Sequence, residues 1–301
     1  MKPLVLLIFS VLFFHNSHSQ CLNGTYIIGP DPSDDYPTLD SAVNHLIAQG
    51  MCSTVALKIK NGTYSNTQVE IPEITGNSAT SQLIIESLSG SASSTVLSRS
   101  TNLSAGDNYA ISLEGIKHLS LKNLTIKRTS LSNNYARVIA ISDTTNSLFF
   151  ENLIISTPSY AYSNWDRHLV TSNATIDTFH ITGSTLNGGQ SGISAWASTF
   201  NYFLILDCTF EYQYQYGIVT SNTNNIEISQ SDFNIQSNAS NGNILSLNAK
   251  SLTITKNTFL HKNNGGSEAI VANGQNMILS SMHFSNNFIR GNPGSPYQMK
   301  G

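Results

Sequence analysis

The chain has 301 residues, with 15 Lys+Arg against 18 Asp+Glu and a formal net charge of −3. Charged residues make up only 11% of it, against roughly 25% in ordinary soluble domains, and Ser, Asn, Thr and Gly fill the difference. Such a near-neutral chain lacks the basic field that nucleic-acid binding needs, and 40% hydrophobic residues are enough for a core, which excludes wholesale disorder.

At the N-terminus, Lys2 precedes an apolar run from Leu4 to Phe14, then Ser17-His18-Ser19. This is the layout of a secretory signal peptide cut after Ser19. The run is far short of the roughly 20 residues that span a bilayer, and no second hydrophobic segment follows. Cys21 lies just past the cut, but Ser19-Gln20 is a poor match to the box that precedes a lipidated cysteine. The expected location is therefore secreted or cell-surface. In an oxidising compartment two of the three cysteines can pair. Cys21 and Cys52 both flank the N-terminal region, whereas Cys208 sits in an apolar strand pattern. The expectation is a Cys21–Cys52 bridge with Cys208 buried and free. No CxxC or Cys/His spacing suggests zinc, and no metal or cofactor is expected.

Next, Leu39, Val43, Leu46 and Ile47 mark one face of a helix that Thr38 can cap and Gln49-Gly50 ends. A strand follows at Val55–Lys60, then a turn at Asn61-Gly62-Thr63-Tyr64. Gln82–Ile85 and Tyr109–Leu113 read as further, less regular strands.

From Leu119 an internal repeat takes over. Apolar residues fall at offsets 0, 2, 5 and 7: Leu119, Leu121, Leu124, Ile126. The frame recurs from Leu148, Phe179, Phe203, Ile226, Leu252 and Met277, with first positions 29, 31, 24, 23, 26 and 25 residues apart. Offsets 0 and 2 place two side chains on one face of a strand; the phase break is a bend, and offsets 5 and 7 point inward from a second short strand. A third short strand follows each copy, as at Val138–Ile141, Gly217–Val219 and Ile244–Leu247. Three strands per repeat describe one coil of an all-β, right-handed parallel β-helix of about 8–10 rungs, with the amphipathic helix capping its first coil. A β-sandwich also uses many short strands but does not require one frame seven times, and the Leu/Asn pattern of leucine-rich repeats is missing. The offset-7 ladder reads Ile126, Ile155, Leu186, Phe210, Phe233, Phe259, Phe284. Asn and Ser at the bends can bond neighbouring backbone groups. The organisation is a leader over 1–19, a cap with first strands over 20–80 and the β-helix over 81–301. The segment Gly291–Pro296 is turn-rich and offers no recognisable cap, so truncation, a continuing segment or self-association is expected at that end.

Asp35-Tyr36-Pro37-Thr38-Leu39, the helix, and Lys60-Asn61-Gly62-Thr63-Tyr64 resemble the opening of pectinesterase-like β-helices in the pectate-lyase-like superfamily. Leu22–Gly29 is similar to the opening of large surface and adhesin-type β-helix proteins of gliding and gut bacteria of the Bacteroidetes type. The resemblance covers nearly the whole mature chain as a fold. Pectinesterases of this fold carry their chemistry on two Asp, an Arg and Gln residues in strand motifs, and no Gln-Asp-Thr-Leu or Asp-Phe-Ile-Phe-Gly equivalent occurs here. Asp34-Asp35 is the only Asp pair and reads as a turn feature. Asp143, Glu151, Asp166, Asp177, Asp207, Glu211, Glu227 and Asp232 fall at different offsets and read as surface charges.

The best candidate site is a pair of loops on coils two apart. One runs after Ile155 through Tyr160, Tyr162, Trp165, Asp166 and Arg167 to His168; the other is Glu211-Tyr212-Gln213-Tyr214-Gln215-Tyr216. Between them lies the short Asn187-Gly188-Gly189-Gln190-Ser191, giving a Gly-Gly floor between two aromatic walls about 10 Å apart. Aromatic faces with amides suit sugar rings. The expected substrate-binding residues are Tyr160, Tyr162, Trp165, Gln190, Tyr212, Tyr214 and Tyr216. Arg167 or Arg137 would neutralise a uronate carboxylate, and His168 or a tyrosine would act as base in a β-elimination. Trp196 reads as packing. Two classes stay open: a glycan-binding, adhesive or structural module, and a lyase or hydrolase acting on an acidic polysaccharide.

Overall fold

The structure is a computed structural model and describes residues 21–100, 108–129, 137–158, 167–235, 242–261, 270–273 and 280–291. Its strands stack in parallel register into a three-faced solenoid. The first sheet begins with Leu22–Ile28 and Met51–Ile59 and continues through Leu83–Ser87, His118–Lys122, Thr145–Glu151 and later coils to Ser281–Ser285. The second begins at Gly62–Tyr64, where a turn is expected from the sequence, and has nine strands among the described residues. The third begins at Val69–Pro72 and ends at Ile270–Asn273. The strand Leu245–Thr255 bends from the third sheet into the first without a break.

The helix α1 (Leu39–Gln49) packs against the first strands of the stack. Thr38 Oγ1 accepts from Ser41 N and Ser41 Oγ from Thr38 N, a reciprocal cap. Its buried face is Leu39, Ala42, Val43 and Leu46, a clean i, i+3, i+4, i+7 stripe. Ile47, expected on that face, is 43% exposed because the stripe turns onto Ala42 instead. The Asp34-Asp35 pair is a turn device, as expected. Asp34 pairs with Lys60 Nζ at 2.5 Å, and Asp35 Oδ2 accepts from Ile27 N at 2.7 Å. Cys21 and Cys52 form the disulfide, with Cα atoms 5.3 Å apart, and Cys208 is buried and free. No helix among the described residues is long and apolar enough to cross a membrane.

The phase break of the repeat is a single residue in the left-handed region on every coil: Asn123, Asn152, Gly183, Asp207, Gln230, Lys256 and Asn286 all have φ between 50° and 58°. Each of the first six donates its N–H to a carbonyl of the next coil, for example Asn123 to Glu151 and Lys256 to Ser285. The inward residue that follows builds a polar ladder where it is not apolar. Ser184 Oγ accepts from Leu153 N, Ser231 Oγ from Cys208 N, and Asn257 Oδ1 from Ser231 N. The last copy departs from the expected frame. Leu252 pairs with Met282 and Ile254 with Phe284, so the copy starts at Met282 rather than Met277, and the polar position is Asn287, 30 residues beyond Asn257. The offset-7 ladder therefore ends on Ile289, which pairs with Phe259. The polar ladder overrides the apolar count, because Asn287 meets Asn257 while the apolar frame fits either register.

Inside, Phe210 and Phe233 stack 4.6 Å apart and Phe233 and Phe259 5.0 Å apart. These rings fit because the third sheet thins to glycine opposite them. A Cβ on Gly192 would lie 2.7 Å from Phe210 Cδ1 and 2.6 Å from Gly217 O.

Candidate functional site

The outer surface of the third sheet is built from small side chains. Outward positions paired between coils read Glu70, Ser112, Ala140, Thr171, Ser194, Val219. Two residues before the paired inward positions Ile111, Ile139, Val170, Ile193 and Ile218 stand Tyr109, Arg137, His168, Ser191 and Tyr216. Tyr109, Arg137, His168 and Tyr216 thus edge a row of shorter side chains, of which Ser112, Ser191, Ser194 and Val219 are buried.

At one end of this face lies a cavity of about 220 Å³ lined by Tyr109, Ser112, Glu114, Arg137, Ala140, Ile141, Ser142, Thr171 and Asn173. Tyr109 OH donates to Glu70 Oε2 at 3.4 Å, and Ser112 Oγ donates to Glu114 Oε1 at 2.9 Å. Burial, and then the Glu70 carboxylate, push the Tyr109 phenol above its ordinary value, so it keeps its proton and serves as a donor. Arg137 N donates to Asn108 O at 3.0 Å, which fixes the start of its strand.

Further along the same face, Trp196 is 53% exposed, and its ring meets Tyr216 edge-on with centroids 5.8 Å apart. Trp196 is thus not a packing residue, because the chain leaves the third sheet at Ala195 and carries the indole outward. Ser221 Oγ donates to Trp196 O at 2.6 Å and holds that turn. Tyr216 is fixed from behind by a buried relay: Gln190 Nε2 donates to Gln215 Oε1 at 2.7 Å, and Gln215 Nε2 to Tyr216 OH at 3.2 Å.

Of the residues singled out by sequence, His168 and Tyr216 fall in the edge column with Arg137. His168 and Arg167 are buried, and Arg167 O accepts from Gln190 N at 2.7 Å. Gln190 is buried behind the surface. The short connection at Gly188-Gly189 is clasped by its neighbours: Tyr214 N bonds Gly189 O, and Gly188 N bonds Glu211 O. Tyr212 is 39% exposed and Tyr214 half-buried, with Gln213 turned inward between them to donate to Leu186 O. Tyr160, Tyr162 and Trp165 lie outside the described residues, as does Asp166. Tyr109, Glu70 and Glu114 were not singled out by sequence. Their strands alternate clearly, but they precede the regular repeat and so carry no ladder position. Among the described residues no group of three or more His, Cys, Asp or Glu is placed to hold a metal ion.

The surface charges serve local ties. Lys122 pairs with Glu151 at 2.9 Å and Lys58 with Glu86 at 3.2 Å across the first sheet. Tyr202 OH donates to Glu227 at 2.8 Å, and burial together with that carboxylate pushes the phenol up to about 12.

Among solved structures, the chain is similar in fold to the pectin methylesterase of Aspergillus niger, with a TM-score of 0.53, 11% identity, and 94% of this chain and 92% of that one covered. The rice weevil pectin methyl esterase is matched with a TM-score of 0.46 at 14% identity, over 85% of this chain and 87% of that one. No family model matches the sequence, and no curated protein matches it.

Proposed function

We propose that this protein is a secreted or cell-surface β-helix that binds a polysaccharide lengthwise along the outer face of its third sheet. The observation that carries this reading is the pairing, on one face, of a polar cavity edged by Tyr109 and Arg137 with the exposed Trp196 against Tyr216. From Tyr109 to Tyr216 they span four rung spacings, roughly 19 Å, a length that suits a chain-like ligand better than a single small molecule. An indole gives a sugar ring an apolar face, and the hydroxyls, carboxylates and guanidinium supply the periphery. Likeness in fold to the fungal pectin methylesterase supports a polysaccharide-related role. An adhesive or spacer role on a cell surface uses the same face.

Cleavage is the second reading. It is favoured by the cavity, where a proton-retaining phenol stands beside Glu70 with Glu114 and Arg137 in the same wall. In that reading Arg137 holds an acidic sugar's carboxylate, Glu70 takes the proton from the carbon beside it, and Tyr109 protonates the departing oxygen as the glycosidic C–O bond breaks and a C=C bond forms.

The test is retention on immobilised neutral and acidic polysaccharides, with the soluble products analysed by mass spectrometry. Trp196→Ala is expected to weaken retention about tenfold, roughly 1.4 kcal/mol, and unsaturated or saturated fragments would add catalysis. Retention on none of the polymers, or retention unchanged in Trp196→Ala, refutes the assignment of this face.

A further inference from the structure

At the corner where the second sheet hands the chain to the third, two arginines occupy the same register on successive coils, Arg99 paired with Arg128. Arg128 is 2% exposed and the largest fully buried side chain among the described residues. Its Nη2 donates to the side-chain oxygen of Asn108, itself 1% exposed. Its Nε and Nη1 have no hydrogen-bond partner, and no carboxylate among the described residues pairs with it. A buried guanidinium with one neutral partner and a like charge beside it is costly. Burial and then Arg99 push it down to about 10, which leaves it charged at neutral pH. Nη1 and the remaining hydrogen of Nη2 form the planar end of the guanidinium that matches an oxyanion in bidentate fashion, and Nε–H is a further open donor on another edge. The half-buried Arg99 marks the side from which such a group enters.

We propose that the corner built by Arg99, Arg128 and Asn108 binds a compact oxyanion: a carboxylate, sulfate or phosphate group. This site lies behind the cavity described above, since Asn108 leads directly into Tyr109 and its carbonyl accepts from Arg137 N. It does not depend on that cavity holding a glycan. A free anion and an acidic group carried on a polymer share this chemistry, and the test separates them.

Melting temperatures of the wild type and Arg128→Met are compared in chloride, sodium sulfate, galacturonate and a sulfated dextran at matched ionic strength. The variant corrects for the general stabilisation by excluded salts. In chloride, Arg128→Met is expected to melt no lower than the wild type, because it removes an uncompensated buried charge. With anion at about 100 times Kd, the wild type is expected to gain about 5 °C or more over the variant. A gain with sulfate or galacturonate assigns the site to small anions, and a gain confined to the dextran assigns it to a group carried on a chain. Equal responses of wild type and variant to every probe overturn the proposal. Asn108→Asp is the independent check if Arg128→Met does not fold. It places a carboxylate on the atom that already accepts from Arg128, so it should raise the melting temperature in chloride and flatten the response to anions. A wild-type response in Asn108→Asp overturns the proposal as well.

Discussion

Replacing Asn257 tests whether side-chain amides inside the coil carry the register of this solenoid. Asn257 is 2% exposed; its Oδ1 accepts from Ser231 N at 2.9 Å, and its Nδ2 donates to Ile228 O at 2.9 Å. Asn257→Ala leaves Ser231 N buried without a partner and removes the amide donor from Ile228 O and Asn287 Oδ1. At about 1–3 kcal/mol for the orphaned N–H and about 1 kcal/mol for each lost amide bond, the expected loss is about 2–5 kcal/mol. Asn257→Ser is the informative companion. At the equivalent positions Ser231 and Ser184 accept the preceding coil's N–H but donate back within their own coil, to Ser229 O and Thr182 O. Serine at 257 therefore restores the bond to Ser231 N and loses only the amide's donor bonds, for a loss of about 1–2 kcal/mol. The measurement is the urea midpoint by circular dichroism, read together with its slope so that a change in stability is not confused with a change in the unfolded chain. An alanine variant within 1 kcal/mol of the wild type, or a serine variant as unstable as alanine, refutes the ladder as a source of stability.

Three further outcomes are expected. Gly192→Ala should destabilise by about 2–3 kcal/mol in the same urea titration, because its Cβ meets both Phe210 and Gly217 O; a neutral result would mean that the Phe stack shifts freely. Removing the Cys21–Cys52 bridge by Cys52→Ala opens a loop spanning 31 residues and should cost about 3–4 kcal/mol in the chain-entropy account, measured against wild type with and without reductant. Burial lowers the imidazoles of His118, His180 and His261, partly opposed at His180 by Glu227. The unfolded chain therefore binds more protons below about pH 6.5, and stability is full above that value and falls as pH drops toward the lowered folded values. His261→Gln should flatten the acid limb, and an unchanged slope would remove His261 from the account.

The fold was legible because a solenoid writes the same constraint many times. Leu119, Leu148, Phe179, Phe203, Ile226 and Leu252 fall one above another as their common offset requires, and any one rung would have been ambiguous with a sandwich strand. The left-handed residue that causes the phase break was less visible, because Gln230 and Lys256 adopt it alongside Asn and Gly. Hydrogen bonding to the next coil outweighs local preference there. The frame failed where the ladder changed from apolar to polar. Met277 and Met282 both satisfy an apolar count, and only the Asn257–Asn287 bonds, at 2.9 and 3.0 Å, decide between them. The helix face slipped by one position for a similar reason, since Ala42 is small enough to be buried and too small to signal it.

The candidate site was less legible, and the difference is geometric. Loops show in the sequence as gaps in the repeat, and so Tyr212–Tyr216 and the segment ending at His168 stand out. The edge column is set instead by register between coils. Tyr109, Arg137, His168, Ser191 and Tyr216 share no residue type and no sequence motif, only a position two residues before a paired aliphatic. Glu70 and Glu114 lie on coils that precede the regular repeat, where no ladder existed to place them beside Tyr109 and its cavity. Trp196, just after the short Gly192-Ile193 strand, reads as packing, yet the turn held by Ser221 carries it outward to Tyr216. A β-helix encodes its core in periodic positions and its surface chemistry in the residues that break no period. In such a fold the interior can be read from the sequence, while the face that meets a ligand emerges only when coils are stacked in register.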